Sequence, residues 1–304
     1  MPTYPPLAPT LSGDTLSASR FLQNPKFVAR RMQEYLDLRY VGPRLLTGRQ
    51  EVSGGAVGYE QVEGIFAAAA PEIVAPGGEY SLTAITDGPA GLARVAKYGK
   101  DSMIYDEAVK RRNIDAVDKA LLKLSNSASL VIDQATVSVI AAAVTATRAA
   151  VAAWSSASPK ILQDILRAVA DVRALNLGYE PNALLVDDST WAYLASDPVI
   201  SAAMARETAS NPVSTGRFPT LAGLQVIPTP AANLPGGSGA WVLDTNQLGF
   251  IAKESLGEGY TAAGELVETK VMRKDDVDGW RVRARANFVP VVTDPGAGFK
   301  ITGV

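Results

Sequence analysis

Four groupings of side chains have the types and spacing to do chemistry, and the first is an acidic turn, Asp275, Asp276 and Asp278 before Gly279. A helix-loop-helix calcium loop places a glycine sixth and a bidentate acid twelfth. Aligning Gly279 to that glycine puts Lys274 at the first ligand position and Arg285 at the twelfth, so the pattern fails. The second grouping, Gly99-Lys100, is followed by Asp101 and lacks the upstream glycine of a phosphate-wrapping loop. The third, Asp187 and Asp188, falls between a buried-strand run and a helical run, where an N-cap is expected rather than acid–base catalysis. The fourth is a strand in which Arg281, Arg283 and Arg285 alternate with Trp280, Val282, Ala284 and Ala286. A period of two sends the three cations to one sheet face and the apolar groups to the other.

Like charges along one face repel, so the arginines call for nearby acids. The glycine-rich segment upstream offers Glu51, Glu60, Glu63, Glu72 and Glu79. Two readings stand: a solvated basic ridge, or an intersubunit contact in which Arg281, Arg283 and Arg285 of one copy meet Glu51, Glu60 and Glu63 of the next. The chain has no cysteine and no histidine, which removes disulfides, thiolate and Ser-His-Asp catalysis, and nitrogen- or sulfur-ligated zinc. Carboxylate chemistry remains open, but no motif converges, and no catalytic, cofactor-binding or metal-binding residue is assigned.

The elements that position these groups follow from composition and periodicity. A chain of 304 residues, 47% hydrophobic and 20% charged, describes a folded protein of one large domain or two smaller ones. A net charge of −2 does not suit capture of nucleic acid by phosphate neutralisation. No stretch reaches the ~18 apolar residues of a membrane span, and the N-terminus lacks the pattern of a secretory signal, so synthesis in a cytoplasm is expected.

Asn24 as N-cap and Pro25 at the first turn predict a short amphipathic helix carrying Val28, Met32, Tyr35, Leu36 and Arg39, ending near Gly42-Pro43. It docks on its own domain or on another. Residues 47–99, rich in glycine with alternating runs such as Tyr80, Leu82 and Ala84, read as a long twisted β-hairpin or as a flexible surface loop. Lys100 to Ser158 contains neither glycine nor proline and reads as mostly helix. Ile114, Val117, Leu121, Leu124, Ala128, Val131, Ala135 and Ala142 form its apolar stripe, and a helix over Tyr105 to Thr145 would be roughly 60 Å long at ~1.5 Å per residue. Further on, helices over Lys160–Leu175 and Ser189–Arg206 alternate with strands at Ala183–Val186, Leu224–Ile227 and Trp241–Asp244. A hairpin, Glu265–Lys274 with Trp280–Val292, turns at Asp278-Gly279.

This order of parts resembles the major capsid proteins of tailed double-stranded DNA bacteriophages, the Hong Kong 97 type, over nearly the whole chain. Local phrases are similar too: ARVAKYGKDSMIYDEAV, NALLVDDSTWAYLA, and FPTLAGLQVIPTPAANLPGG leading into AWVLDTNQLGFI. The resemblance implies an α+β fold with an N-terminal arm (1–46), an extended β-hairpin loop (47–96), a peripheral domain with a long spine helix on a β-sheet (97–157), a mixed axial domain (158–256) and return strands of the peripheral domain (257–304). It implies a self-assembling, non-enzymatic subunit forming pentamers and hexamers around packaged DNA in the virion, made in the host cytoplasm, with no cofactor. Scaffold protein, maturation protease, portal and packaging motor would be separate proteins. The type member welds a loop lysine to a neighbour's asparagine. No lysine lies between Lys26 and Lys97 here, so a shell held by non-covalent contacts or by a cement protein is expected. An encapsulin shell sharing the fold is the alternative, and a soluble enzyme with carboxylate chemistry is a further one.

Overall fold

The computed structural model describes residues 18–36, 40–61, 73–82, 88–112, 114–203, 220–234 and 239–304. In chain order the helices and strands are α1 (Ala18–Gln23), α2 (Pro25–Leu36), α3 (Gly42–Leu45), β1 (Gly48–Glu51), β2 (Ala56–Glu60), β3 (Ala90–Arg94), β4 (Ala96–Tyr105), α4 (Asp106–Arg112), α5 (Ile114–Ala143), β5 (Thr147–Ala149) and α6 (Ile161–Ala174). There follow β6 (Ala183–Asp187), α7 (Asp188–Ser196), α8 (Pro198–Ala203), β7 (Gln225–Thr229), β8 (Ala240–Leu243), β9 (Gly249–Lys253), β10 (Thr261–Ala262), β11 (Val267–Lys274), β12 (Gly279–Val292) and β13 (Gly298–Thr302). They fall into two units, one within residues 1–40, 97–131 and 255–287, the other within 41–96, 132–254 and 288–304.

In the first unit β11 and β12 form the antiparallel hairpin the sequence predicts, in register from Val267↔Ala286 to Lys274↔Gly279. Asp278 adopts the left-handed conformation at the turn, φ 43°. Strand β10 pairs with β11, and β4 pairs with β12. Helix α2 begins at Pro25, where Asn24 Oδ1 accepts from Lys26 N at 3.2 Å. It packs on β10 and β11 of its own unit through Val28, Ala29, Met32 and Leu36, all buried. Each such large side chain contributes roughly 1.5–3 kcal/mol on burial. Arg31 fixes the helix further, donating to both Asp118 carboxylate oxygens at 3.2 and 3.4 Å and lying 5.1 Å from the Tyr35 ring centre.

The second unit contains a five-stranded sheet in the order β5-β13-β8-β6-β7. Strands β6 and β7 run parallel, and β6 pairs antiparallel with β8. Every residue of β6 and β8 is buried, which is why both read as short apolar runs without alternation. Asp187 caps α7 as expected, accepting from Ser189 N and Thr190 N; Gly239 N reaches its other oxygen at 3.4 Å. In the same unit β1 runs parallel to β9, and β9 antiparallel to the last residues of β12. Glycine is required at 249, because a Cβ there would be driven into the carbonyl oxygen of Val291.

Three expectations need correction. The segment 100–105 is strand, not helix: it belongs to β4, and the helices are Asp106–Arg112 and Ile114–Ala143. At ~1.5 Å per residue α5 is roughly 45 Å long. Its buried seam runs through Val117, Leu121, Ser125, Ser129, Ile132, Thr136 and Ile140, so it departs from the stripe of Ala128, Val131 and Ala135. The expected hairpin over 47–99 is narrower. β2 and β3 pair from Ala56↔Arg94 to Glu60↔Ala90, whereas β1 belongs with β9, and Tyr80 and Leu82 lie outside any strand. Ala84 and residues 204–206, expected as strand and helix, lie outside the described residues.

Candidate intersubunit site

Strand β12 projects Arg281, Arg283 and Arg285 on one face, and the structure supplies their counter-charges from the same chain. Asp101, on β4, accepts from both Arg281 and Arg283. Arg283 Nε and Nη2 donate to its two oxygens at 2.7 and 2.8 Å, and Arg281 Nε donates at 2.5 Å. The Arg283 hydrogen bonds, with a smaller share from Arg281, hold the Asp101 carboxyl below its usual range, against the opposing effect of burial. Arg283 is correspondingly held above the ordinary guanidinium value by Asp101.

Arg285 is only 2% exposed and pairs with Glu268, 7% exposed, its Nε donating at 2.9 Å. Ser255 Oγ donates to the other Glu268 oxygen at 2.9 Å, and Arg285 Nη2 reaches the Gly257 carbonyl at 3.2 Å. The guanidinium also stacks 3.3 Å from the centre of the Tyr260 ring, with Lys270 Nζ 5.3 Å from the same ring. A buried cation is tolerable only when paired and hydrogen-bonded in this way.

An open hollow of about 500 Å³ lies here, lined by Lys97, Gly99, Lys100, Asp101, Tyr260, Arg283 and Arg285. The side chains of Lys97 and Lys100 are exposed and make no hydrogen bond or ion pair among the described residues. The hollow therefore carries excess positive charge around groups suited to binding a carboxylate or phosphate, with no general base beside a nucleophile.

The expected acids lie elsewhere in the chain. Glu51 is exposed on β1 and Glu60 exposed on β2, and neither forms an ion pair among the described residues. Glu63 and Glu72 lie outside the described residues, and Glu79 is exposed. At the base of the loop Glu254 Oε1 accepts from Gly54 N and Gly55 N at 3.1 and 3.0 Å. Both glycines have positive φ, 97° and 77°, so that two successive N–H groups converge on one oxygen. Val57 packs there with Ala252 and Val291. The acidic turn at 275–278 is also engaged: Arg273 bridges Asp275 and Asp106. Among the described residues no group of three or more acids, histidines or cysteines is placed to hold a metal ion, and no helix is long and apolar enough to cross a membrane.

Sequence reasoning found the arginine strand but missed Asp101, Glu268, Tyr260 and the lysine pair. Nothing local marks Asp101 as a partner of residues 180 positions away, whereas the opposition of Glu268 and Arg285 follows from the hairpin register once Asp278-Gly279 is fixed as the turn.

A family model described as phage capsid protein matches residues 90–301. The chain belongs to the phage capsid protein family. No curated protein matches the sequence. Among solved structures, the capsid of cyanophage P-SCSP1u is similar at 12% identity, TM-score 0.62, over 84% of this chain and 85% of that one. A structure from Microbacterium phage Oxtober96 is similar at 11% identity, TM-score 0.61, over 86% and 90%. A virus-like particle from Pyrococcus furiosus is similar at 10% identity, TM-score 0.55, over 91% and 98%. These likenesses speak for the fold, which is the α+β capsid fold of the Hong Kong 97 type. The phage capsid protein is thus a structural protein, a major capsid protein of the virion.

Proposed function

We propose that this capsid protein assembles as pentamers and hexamers into an icosahedral shell around the packaged double-stranded DNA of a tailed phage. The observation that carries the reading is the family match over most of the chain, residues 90–301. Residues 1–46 serve as arm, 47–96 as the extended loop, 97–157 and 257–304 as the peripheral domain and 158–256 as the axial domain. The loop overlaps the next subunit, so that its acids, Glu51, Glu60 and Glu63 among them, reach the cationic surface of the neighbour that borders Arg281, Arg283 and Arg285, the arginines themselves being held on Asp101 and Glu268.

Assembly takes place in the host cytoplasm with a separate scaffold protein, maturation protease, portal and packaging motor. The near-neutral net charge of −2 suits a wall that encloses DNA without binding it tightly. With no lysine between Lys26 and Lys97 the shell is held by non-covalent contacts or by a cement protein, and the subunit has no catalytic role. The likeness to the virus-like particle of Pyrococcus furiosus keeps an encapsulin-type compartment as the second reading. Native particles decide between them. Nuclease-resistant double-stranded DNA inside, and a capsid subunit that runs as a monomer under denaturing electrophoresis, are expected; protein cargo without a genome would favour the compartment, and covalent ladders would contradict non-covalent closure.

A further inference from the structure

The loop and the arginine hollow have opposite charge. Residues 50–95 contain six acids, Glu51, Glu60, Glu63, Glu72, Glu79 and Asp87, and one base, Arg94, a net charge of −5. The hollow beside β12 is lined by four cations and a single acid. Its arginines, however, are already engaged: Arg281 and Arg283 share Asp101, and Arg285 is buried on Glu268. An acid arriving from outside would have to displace Asp101, or enter a site where Arg285 offers only 2% of its surface. The two cations with open coordination are Lys97 and Lys100 on β4. Each ammonium has three donors on a flexible stem, able to follow an incoming carboxylate.

Resting on the capsid reading above, we infer that Lys97 and Lys100 form the receptor for the acidic loop of a second copy of this chain, and that Asp101 keeps the arginine strand out of that contact. The exposed loop acids Glu60 and Glu79 are the matching groups, neither carboxylate having a hydrogen bond or ion pair among the described residues. In the same described stretch, 73–82, the side chains of Ile73, Tyr80 and Leu82 are 81–104% exposed, apolar surface that burial against a partner would remove from water. Lysines on an exposed strand can also act simply to discourage edge-to-edge pairing, since β4 pairs only with β12 among the described residues. The two roles differ in what sign reversal does. A deterrent works with either charge, whereas a receptor for acids fails when its lysines become acidic.

The test is a charge swap divided between copies. One variant carries Lys97→Glu with Lys100→Glu, another Glu60→Lys with Glu79→Lys, and a third all four substitutions; circular dichroism of the dissociated subunits verifies that each folds. Wild-type protein, assembled under conditions that yield shells, is the reference. Each two-site variant alone is expected to lose shell yield at least tenfold. Mixing the two is expected to restore hexamers and to raise shell yield in part, because alternation matches every loop in a ring of six but leaves one mismatch in a ring of five, whereas the four-substitution chain matches every loop and is expected to assemble like wild type. Two-site variants that assemble like wild type would overturn the inference and leave the deterrent role. Recovery only in the four-substitution chain and not in the mixture would place the contact within one copy, and recovery in neither would show that no such pairing operates. Wild-type protein that forms no shell or capsomer, alone or with its neighbouring genes, would overturn the capsid reading itself.

Discussion

Replacing Glu268 by leucine isolates the cost of a stranded cation. The substitution fills most of the vacated volume, so cavity formation contributes little and the loss is dominated by Arg285, 2% exposed and deprived of its buried carboxylate. Removing one partner of a buried pair costs about 3–5 kcal/mol. Here the lower part of that range applies, because three groups remain: the Gly257 carbonyl at 3.2 Å, the Tyr260 ring at 3.3 Å, and the exposed Glu258 carboxylate at 3.7 Å. Ser255 also loses its acceptor, a further ~1 kcal/mol. At roughly 2 °C per kcal/mol for a chain of this size, the melting temperature of dissociated subunits should fall by about 8–10 °C. Replacing both partners, Arg285→Met with Glu268→Leu, should recover most of that loss, since the desolvation cost disappears together with the attraction. Thermal and urea unfolding of the three proteins measures both effects. A Glu268→Leu protein within ~1 °C of wild type, or a double variant less stable than the single one, would refute the reasoning.

The remaining predictions concern the second unit. Asp133 accepts from Val41 N at 3.0 Å and Gly42 N at 2.7 Å, yet burial outweighs these bonds and pushes its carboxyl up from 3.8 to about 6. Between those values the folded chain holds a proton that the unfolded chain has lost, so the group's favourable contribution is complete below 3.8 and lost as pH rises through 6. Asp133→Asn keeps an acceptor oxygen and removes the titration, so its stability relative to wild type should rise between pH 4 and pH 7 in urea denaturation; a constant difference across that range would refute it. Tyr179→Phe removes the 2.7 Å hydrogen bond to the buried Asp294 and should cost about 1–3 kcal/mol, read as a thermal shift. Gly249→Ala should prevent β9 from pairing with β12 and yield insoluble protein on expression, because the added carbon collides with backbone rather than with a side chain that can turn away.

Much of this fold is legible where a segment carries its own signal. Asn24-Pro25 marks the start of α2, Asp278-Gly279 marks the β11–β12 turn, and the fully apolar runs at 183–186 and 240–243 mark buried strands. The stretch after Lys100 misleads because the absence of glycine and proline does not distinguish helix from strand. The better signals there are the acids Asp106 and Glu107, which sit in the first turn of α4. The seam of α5 hides for a different reason, as it passes through polar residues: Ser125, Asp133 and Thr136 are buried with local partners, and the buried Ser129 hydroxyl has none among the described residues. Ser125 and Thr136 donate back to carbonyls of the helix itself, and Asp133 serves the backbone of α3. At the candidate site the arginine alternation is plain in the sequence, but its electrostatic state is not. Asp101 engages both Arg281 and Arg283 from about 180 residues away, which shifts attention to Lys97 and Lys100, two residues with no periodicity to announce them.

The central claim, that this chain builds a closed shell with its loop over a neighbour, is tested most directly by cryo-electron microscopy of the purified protein, expressed alone or with its neighbouring genes. The account predicts icosahedral particles in which density for residues 47–96 of one subunit crosses the β4 surface of the next. Particles in which each loop contacts only its own subunit, or a protein that remains a monodisperse monomer under both conditions, would contradict it.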